Sequence, residues 1–307
     1  GFNYSIADMS LNAGLGEIIT KNVLVFTNTL ERLTAVQHAN GYDYWILINT
    51  NNHPSPGEIW AYNFTNAGLN LTPVISNLPI INNIGYLRGN RQGNKLAVAT
   101  YQTNFLGNGK FQVMNFDNSS GIASNLITLG STSLAPFTIA YGVEFSPDGT
   151  KLYCTTMNAP YRVIQYNLAT FTYQAIINSG IVLASNPVKA PCSWGYYYGA
   201  LQLAPDGKIY CVTECDSFLN VINYPDSAGT ACNYVARSFY LNGKINSSGL
   251  PNFYHVPISS APTNNIDINS TTSFSVFPNP ANELLNIRFI KKIASAKILI
   301  SNILSER

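Results

Sequence analysis

Tyr141-Gly142-Val143-Glu144-Phe145-Ser146-Pro147-Asp148-Gly149 and Tyr198-Gly199-Ala200-Leu201-Gln202-Leu203-Ala204-Pro205-Asp206-Gly207 are two copies of one pattern. In each, a strand-like run ends in a turn whose Gly can take a positive φ without steric cost. An apolar strand follows each turn: Leu152-Tyr153-Cys154 after Gly149, and Ile209-Tyr210-Cys211-Val212 after Gly207. Looser copies lie upstream, with Asn40-Gly41 before Tyr44-Trp45-Ile46-Leu47-Ile48 and Gln92-Gly93 before Leu96-Ala97-Val98-Ala99. The turn glycines Gly41, Gly93, Gly149 and Gly207 thus recur at a nearly constant interval.

A second landmark keeps the same period. Each unit continues into a strand bearing an Asn: Ile59 to Phe64, Phe111 to Phe116, Val163 to Leu168 and Leu219 to Tyr224. Asn63, Asn115, Asn167 and Asn223 are spaced as the glycines are. Two independent landmarks on one period of about 50 residues define a repeat of four antiparallel strands, the size of a β-propeller blade. Segments such as Pro73-Val74-Ile75 and Ala175-Ile176-Ile177 are placed as fourth strands. The post-turn strands are apolar on both faces, as blades packed between two neighbours require. A β-sandwich would call for shorter spacing and cleaner alternation. The fold class is therefore all-β, a propeller of four to five blades over 1–258. Tyr4 to Met9 places Asp8 one period before Asn63, in the late strand of a fifth, partial blade. The expected ring is incomplete, with further blades and an export signal expected before Gly1.

Composition agrees with an extracellular β-protein. Charged residues make up only 10% of 307 residues, against about a quarter in ordinary soluble domains. A net charge of +2 gives no basic field for nucleic acid. No apolar run reaches the length of a membrane-spanning helix. Cys154 and Cys211 sit in apolar strands and are placed in the core. Cys215 and Cys232 are candidates for a disulfide, with Cys192 as the alternative partner. The three His (His38, His53, His255) are scattered and no Cys-x-x-Cys occurs, so neither a metal site nor a cofactor is expected.

After Phe253-Tyr254 the composition changes. Residues 259–273 are rich in Ser, Thr and Asn and read as a linker. Phe277-Pro278-Asn279-Pro280 then leads into a strand containing Leu285-Asn286-Ile287, and Ile298-Leu299-Ile300 forms the next one. This 274–307 segment resembles the type A C-terminal sorting domain of type IX secretion cargo, with Phe277, Pro278, Asn279, Pro280, Leu285 and Ile287 at the motif positions. It departs from that family by stopping at Arg307, before the Gly-x-Tyr strand and basic tail. Residues 1–257 are in turn similar to large surface and extracellular proteins that carry such domains, through Tyr141 to Gly149, Pro205 to Tyr210 and Gly249 to Phe253. The resemblance implies a secreted or cell-surface location and the type IX machinery as partner.

Chemistry is sparsely marked. Asp148 and Asp206 are read as turn residues that bond their own backbone. Glu144 and Glu214 are placed to face a central channel without a companion acid or base at motif spacing. Ser193-Trp194-Gly195 is no nucleophile elbow. The run Trp194-Gly195-Tyr196-Tyr197-Tyr198 is the strongest ligand-binding candidate, with Trp194, Tyr196 and Tyr197 offered to a glycan or protein; the competing reading buries Tyr196 and Tyr198 between blades. Ser227, in Asp226-Ser227-Ala228, matches an O-glycosylation pattern of bacteria that use this export route. The expected function is a binding or adhesion scaffold. The alternative is an extracellular propeller enzyme, a lactonase-like hydrolase or a glycan-cleaving enzyme.

Overall fold

The computed structural model describes residues 1–50, 57–80, 84–101, 109–129, 139–187 and 197–252, and the backbone of 274–277 and 286–289. The chain divides into two compact units, Gly1–Ile258 and Ser259–Arg307. In the second, β20 (Phe274–Phe277) pairs antiparallel with β21 (Asn286–Phe289).

The first unit is a β-propeller region. A two-stranded sheet, β1 (Phe2–Asp8) with β2 (Glu17–Phe26), precedes four blades. Blade I is β3 (Thr29–Gln37), β4 (Tyr44–Thr50), β5 (Gly57–Thr65), the short β6 (Gly68–Leu69) and β7 (Val74–Ile80). Blade II is β8 (Gly85–Gly89), β9 (Lys95–Thr100), β10 (Phe111–Asp117) and β11 (Ile122–Leu129). Blade III is β12 (Ala140–Phe145), β13 (Lys151–Thr156), β14 (Arg162–Asn167) and β15 (Ile181–Ser185). Blade IV is β16 (Tyr198–Leu203), β17 (Ile209–Thr213), β18 (Phe218–Ile222) and β19 (Tyr234–Tyr240). Blades II, III and IV are four-stranded antiparallel meanders, and in blade I β6 and β7 both pair with β5, so the repeat marks whole blades.

The second strands of blades II and III are buried on both faces because each lies between two neighbouring blades, and their two faces serve different cores. Leu96 and Val98 of β9 join Trp45, Leu47, Ile59 and Phe116 between blades I and II. Ala97 and Ala99, one residue on, join Phe145, Leu152, Cys154 and Ile164 between blades II and III. Tyr153 points the other way, to Leu201, Ile209 and Cys211 between blades III and IV. Cys154 and Cys211 are free and buried, as core residues should be.

The segment expected as a fourth strand in blade III is instead helix α1 (Tyr173–Asn178). Thr172 caps it by accepting a bond from the Ala175 amide; Ile176 is buried in the core and Ile177 packs against it. A short apolar run has no period long enough to separate helix from strand; here the Thr cap decides, and β15 supplies the fourth strand downstream.

The inner strands β3, β8, β12 and β16 stand side by side in that order. Their approach is close enough to demand glycine. A Cβ at Gly142 would lie 2.6 Å from the Gly199 carbonyl oxygen and 2.7 Å from Thr155 Oγ1. That hydroxyl is needed where it is, since it donates to the Gly199 carbonyl at 2.6 Å and accepts from the Gly142 amide at 2.9 Å. Residues 246–252 then cross from blade IV toward blades II and I. The Ala200 amide donates to Ser248 O at 2.8 Å, the Leu250 amide to Tyr86 Oη at 3.2 Å, and Asn252 Nδ2 to the Leu33 carbonyl. Gly142→Ala should therefore destabilise the unit by about 1–3 kcal/mol through overpacking, read as a lower urea midpoint with an unchanged slope.

Candidate functional site

The inner strands bring unlike residues to one layer. Arg88, Glu144 and Gln202 each stand fifth before their turn glycines, Gly93, Gly149 and Gly207. Arg88 and Glu144 are wholly buried, with Arg88 Nε 3.5 Å from Glu144 Oε2. The Arg88 guanidinium also donates to Gln202 Oε1 at 3.1 Å, to Leu201 O at 3.3 Å and to Asn252 Oδ1. Glu144 accepts from the amides of Phe145 at 2.9 Å and Leu203 at 3.1 Å. Both ions are paired inside the protein, as buried charges must be, with Arg88 Nε at ion-pair distance from Glu144 but without a hydrogen bond of its own. Glu144 thus faces the centre as expected, but as a structural counter-ion.

Above this layer, at the ends where the inner strands begin, lies a cavity of about 250 Å³. Glu31, Tyr86, Tyr141, Leu250 and Asn252 are among its lining residues. Tyr86 meets Tyr141 edge-on with ring centroids 5.4 Å apart, and Tyr101 meets the same ring at 6.4 Å. Arg88 stacks beneath Tyr86, 4.9 Å from the ring centroid. Alongside, Tyr197 Oη and Ser248 Oγ share a 3.1 Å hydrogen bond, and Ser248 donates to Glu214 Oε2 at 2.8 Å. Glu31 accepts from the Gly85 amide at 3.2 Å. Burial raises the Tyr141 hydroxyl well above the usual tyrosine range, with smaller pushes from Tyr86, Glu31, Tyr197 and Glu214. Burial also raises Tyr197. Both phenols are therefore kept protonated, as hydrogen-bond donors, through the physiological range. Below Glu31, the Arg32 guanidinium bonds Asn49 Oδ1 at 2.8 Å and Thr100 Oγ1 at 2.9 Å. Burial pulls its pKa down, and Glu31 opposes that shift.

Of the residues singled out by sequence, Tyr197 stands beside this mouth, whereas Trp194 and Tyr196 lie outside the described residues. Tyr198 is a core residue between blades III and IV, its hydroxyl pushed up to about 12 by burial. A Cys215–Cys232 bridge does not form. Cys215 is disulfide-bonded, but Cys232 is a free thiol buried in the blade III–IV core, with Tyr153 and Ile222 for neighbours. Its short 3₁₀ turn, Gly229–Cys232, points it inward, which spacing alone does not reveal. The alternative partner, Cys192, lies outside the described residues. Ser227 is half-buried in a turn clamped to blade III: Gln165 Nε2 donates to its carbonyl at 2.8 Å, and Tyr153 Oη to Pro225 O at 2.7 Å. In the second unit, Phe277 ends β20 and Ile287 lies in β21; Pro278, Asn279, Pro280 and Leu285 are outside the described residues. Asp148 and Asp206 hold their own turns, through bonds from the amides of Thr150 and Lys208.

Sequence reading missed Glu31, Tyr86, Tyr101 and Tyr141, which come from three blades. Aligning the repeats on their turn glycines would have shown the Arg88, Glu144, Gln202 layer. Among the described residues no group of three or more His, Cys, Asp or Glu is placed to hold a metal ion.

No family model matches the chain, and no curated protein does either. Among solved structures it is similar to a 6-phosphogluconolactonase-like protein from Bacteroides uniformis, at 14% identity over 68% of this chain and 56% of that one (TM-score 0.39). It is similar to a puromycin-hydrolyzing peptidase from Mycobacterium tuberculosis at 13% identity, over 77% of this chain and 37% of that one (TM-score 0.42). A TolB-like protein from Agrobacterium tumefaciens matches at 16% identity, over 61% of this chain and 58% of that one (TM-score 0.33). The chain thus spans less than two thirds of each of these proteins.

The central ion pair gives a direct test. Arg88→Met strands a buried carboxylate and should cost about 3–5 kcal/mol, whereas Arg88→Met with Glu144→Met should recover most of it. Urea denaturation of the three proteins reads the difference.

Proposed function

We propose that this protein is a binding scaffold of the cell exterior, whose ligand enters the tyrosine-lined mouth of the propeller. One observation carries the reading: Tyr86, Tyr101, Tyr141 and Tyr197 gather around and beside a concave site whose floor charges are already engaged. Tyrosine supplies rigid, amphipathic contact area at small entropic cost, and protonated phenols add directional donors. Glu31 at the rim offers a carboxylate to hydroxyls or amines. A glycan or an extended peptide matches this combination. The fold is shared by binding proteins and enzymes, so the reading rests on the site and not on the fold.

Export through the type IX route is the second part of the proposal. It is supported by the Ser/Thr/Asn-rich linker and by the Phe277-Pro278-Asn279-Pro280 entry with its following Leu285-Asn286-Ile287 strand. In the second unit Val276 pairs with Ile287 and Phe277 with Asn286, an antiparallel register that suits such a motif.

Screening the whole chain on glycan and peptide arrays should yield a ligand that Tyr141→Ala binds about tenfold or more weakly, the loss of one good aromatic contact. Turnover of a lactone, ester or glycoside at the same mouth would overturn the scaffold reading. For export, the whole chain is expressed in a bacterium with type IX machinery. Phe277→Ala with Pro278→Ala should shift it from the cell surface to the periplasm; equal surface display would remove the sorting role.

A further inference from the structure

At the other ends of the inner strands, where the first strand turns into the second, the repeat departs from itself. Blades III and IV turn through Pro147-Asp148-Gly149 and Pro205-Asp206-Gly207, but blade II turns through Arg91-Gln92-Gly93. All three are the same turn. The Gly amide donates three residues back, to Asn90 O at 3.0 Å, Ser146 O at 2.9 Å and Ala204 O at 3.0 Å. The glycine has φ of 68°, 71° and 78° in the three blades. The position filled by Arg91 asks only for ordinary right-handed backbone, which proline meets best. Nothing in the turn itself requires a guanidinium there. Gln92 also stands where the other blades carry Asp, so this turn exchanges an anion for a cation.

Arg91 lines a cavity of about 320 Å³ between the turns of blades I and II, with His38, Gln37, Gln92 and Asn118. Its Nε is buried without a hydrogen-bond partner, as are those of Arg32, Arg88 and Arg162. Arg32 and Arg88 bond through their terminal nitrogens, whereas Arg91 makes no hydrogen bond among the described residues. Neither ion pair among the described residues involves Arg91. A buried donor left unmade in this way calls for an explanation, and an absent ligand is one. The lining contains no acid. The nearest carboxylate in the blade I turn, Asp43, is engaged by Asn40 Nδ2 at 2.8 Å.

The other donors of the lining sort themselves. Gln37 Nε2 donates to Gly41 O at 2.7 Å, Asn118 Nδ2 to Gln37 O at 3.1 Å, and Gln92 Nε2 to Pro147 O at 2.9 Å. His38 differs. Its Nδ1 accepts the Asn40 amide at 3.0 Å, which puts the ring proton on Nε2. The ring is stacked on Trp45 with centroids 5.4 Å apart and planes at 26°, so it is held in place. A planar guanidinium and a fixed imidazole N–H are what remains.

We propose that this cavity binds a small oxyanion, a carboxylate, sulfate or phosphate group, with the Arg91 fork as principal contact and His38 Nε2–H as a second donor. The fork matches two oxygens of such a group at once. The site is separate from the tyrosine-lined mouth and does not depend on it.

The whole chain is titrated calorimetrically with sodium sulfate, sodium phosphate and sodium glucuronate, at constant ionic strength set by sodium chloride. The three arms tell which oxyanion is preferred. At least one should bind saturably, and Arg91→Gln should weaken it about tenfold or more, the loss of a charge-assisted bond. Arg91→Pro, which copies the turn of blades III and IV, should fold and show the same loss. Lys244→Gln, an exposed cation that lines neither cavity, should bind like the unaltered protein. Absence of saturable binding by all three anions would overturn the proposal, as would binding by both Arg91 variants at unaltered strength.

Discussion

Where the inner strands of blades II, III and IV converge, a guanidinium and a carboxylate stand 3.5 Å apart with both wholly out of water. Removing two such ions from solvent costs more than their mutual attraction returns unless the remaining donors and acceptors are also met. That condition reaches well beyond the pair. It requires Gln202 from blade IV, the amides of Phe145 and Leu203, and Asn252 from the crossing segment. The partners come from blade III itself, from blade IV and from the crossing segment, so the pair is satisfied only when these three stretches are brought together. Apolar packing between sheets tolerates sliding. This network does not, and it sets the relative position of three blades and of residues 246–252.

The mouth inherits its geometry from that layer. Arg88 lies beneath Tyr86, and Tyr86 in turn sets the edge contact with Tyr141. The crossing segment that brings Asn252 to Arg88 also brings Ser248 to Tyr197 and Leu250 to Tyr86. A cavity built on engaged charges keeps its shape without a ligand, which lowers the ordering cost of binding one.

What could be read from sequence follows from which constraints are local. A positive-φ turn and a strand buried on both faces impose the same residue types in every blade. The glycines at 41, 93, 149 and 207 and the apolar strands after them therefore repeat, and the blades are visible. The asparagines recur near the end of the third strand, Asn63, Asn115 and Asn167 within β5, β10 and β14 and Asn223 just after β18. Local ambiguity defeats this reading at Tyr173–Asn178, where a Thr cap turns an apolar run into a helix. It fails again at Cys232, whose inward direction depends on a short 3₁₀ turn. Long-range convergence defeats it altogether: Glu31, Tyr86, Tyr141 and Ser248 are scattered from the first blade to the segment after the last, and share no motif. The inner-strand positions around them vary in charge from blade to blade, whereas the turn glycine is the same in all four.

That contrast extends to both ends of the inner strands and separates the demands of fold from those of binding. Backbone requirements are identical from blade to blade, so a residue that meets them is repeated and one that ignores them answers to some other demand. Arg88, Glu144 and Gln202 share one layer and are chemically unlike, because the layer is a single interlocked network and not three copies of one contact. Arg91 breaks a Pro-Asp-Gly turn in the same way at the opposite end. In a repeat protein the period reports the scaffold, and the departures from it mark where the blades stop being interchangeable. Here the departures cluster where blades meet: at the inner layer, at the tyrosine-lined mouth and at the turns of blades I and II. Sites in this fold are properties of blade junctions, where two copies of one pattern present different side chains to the same space.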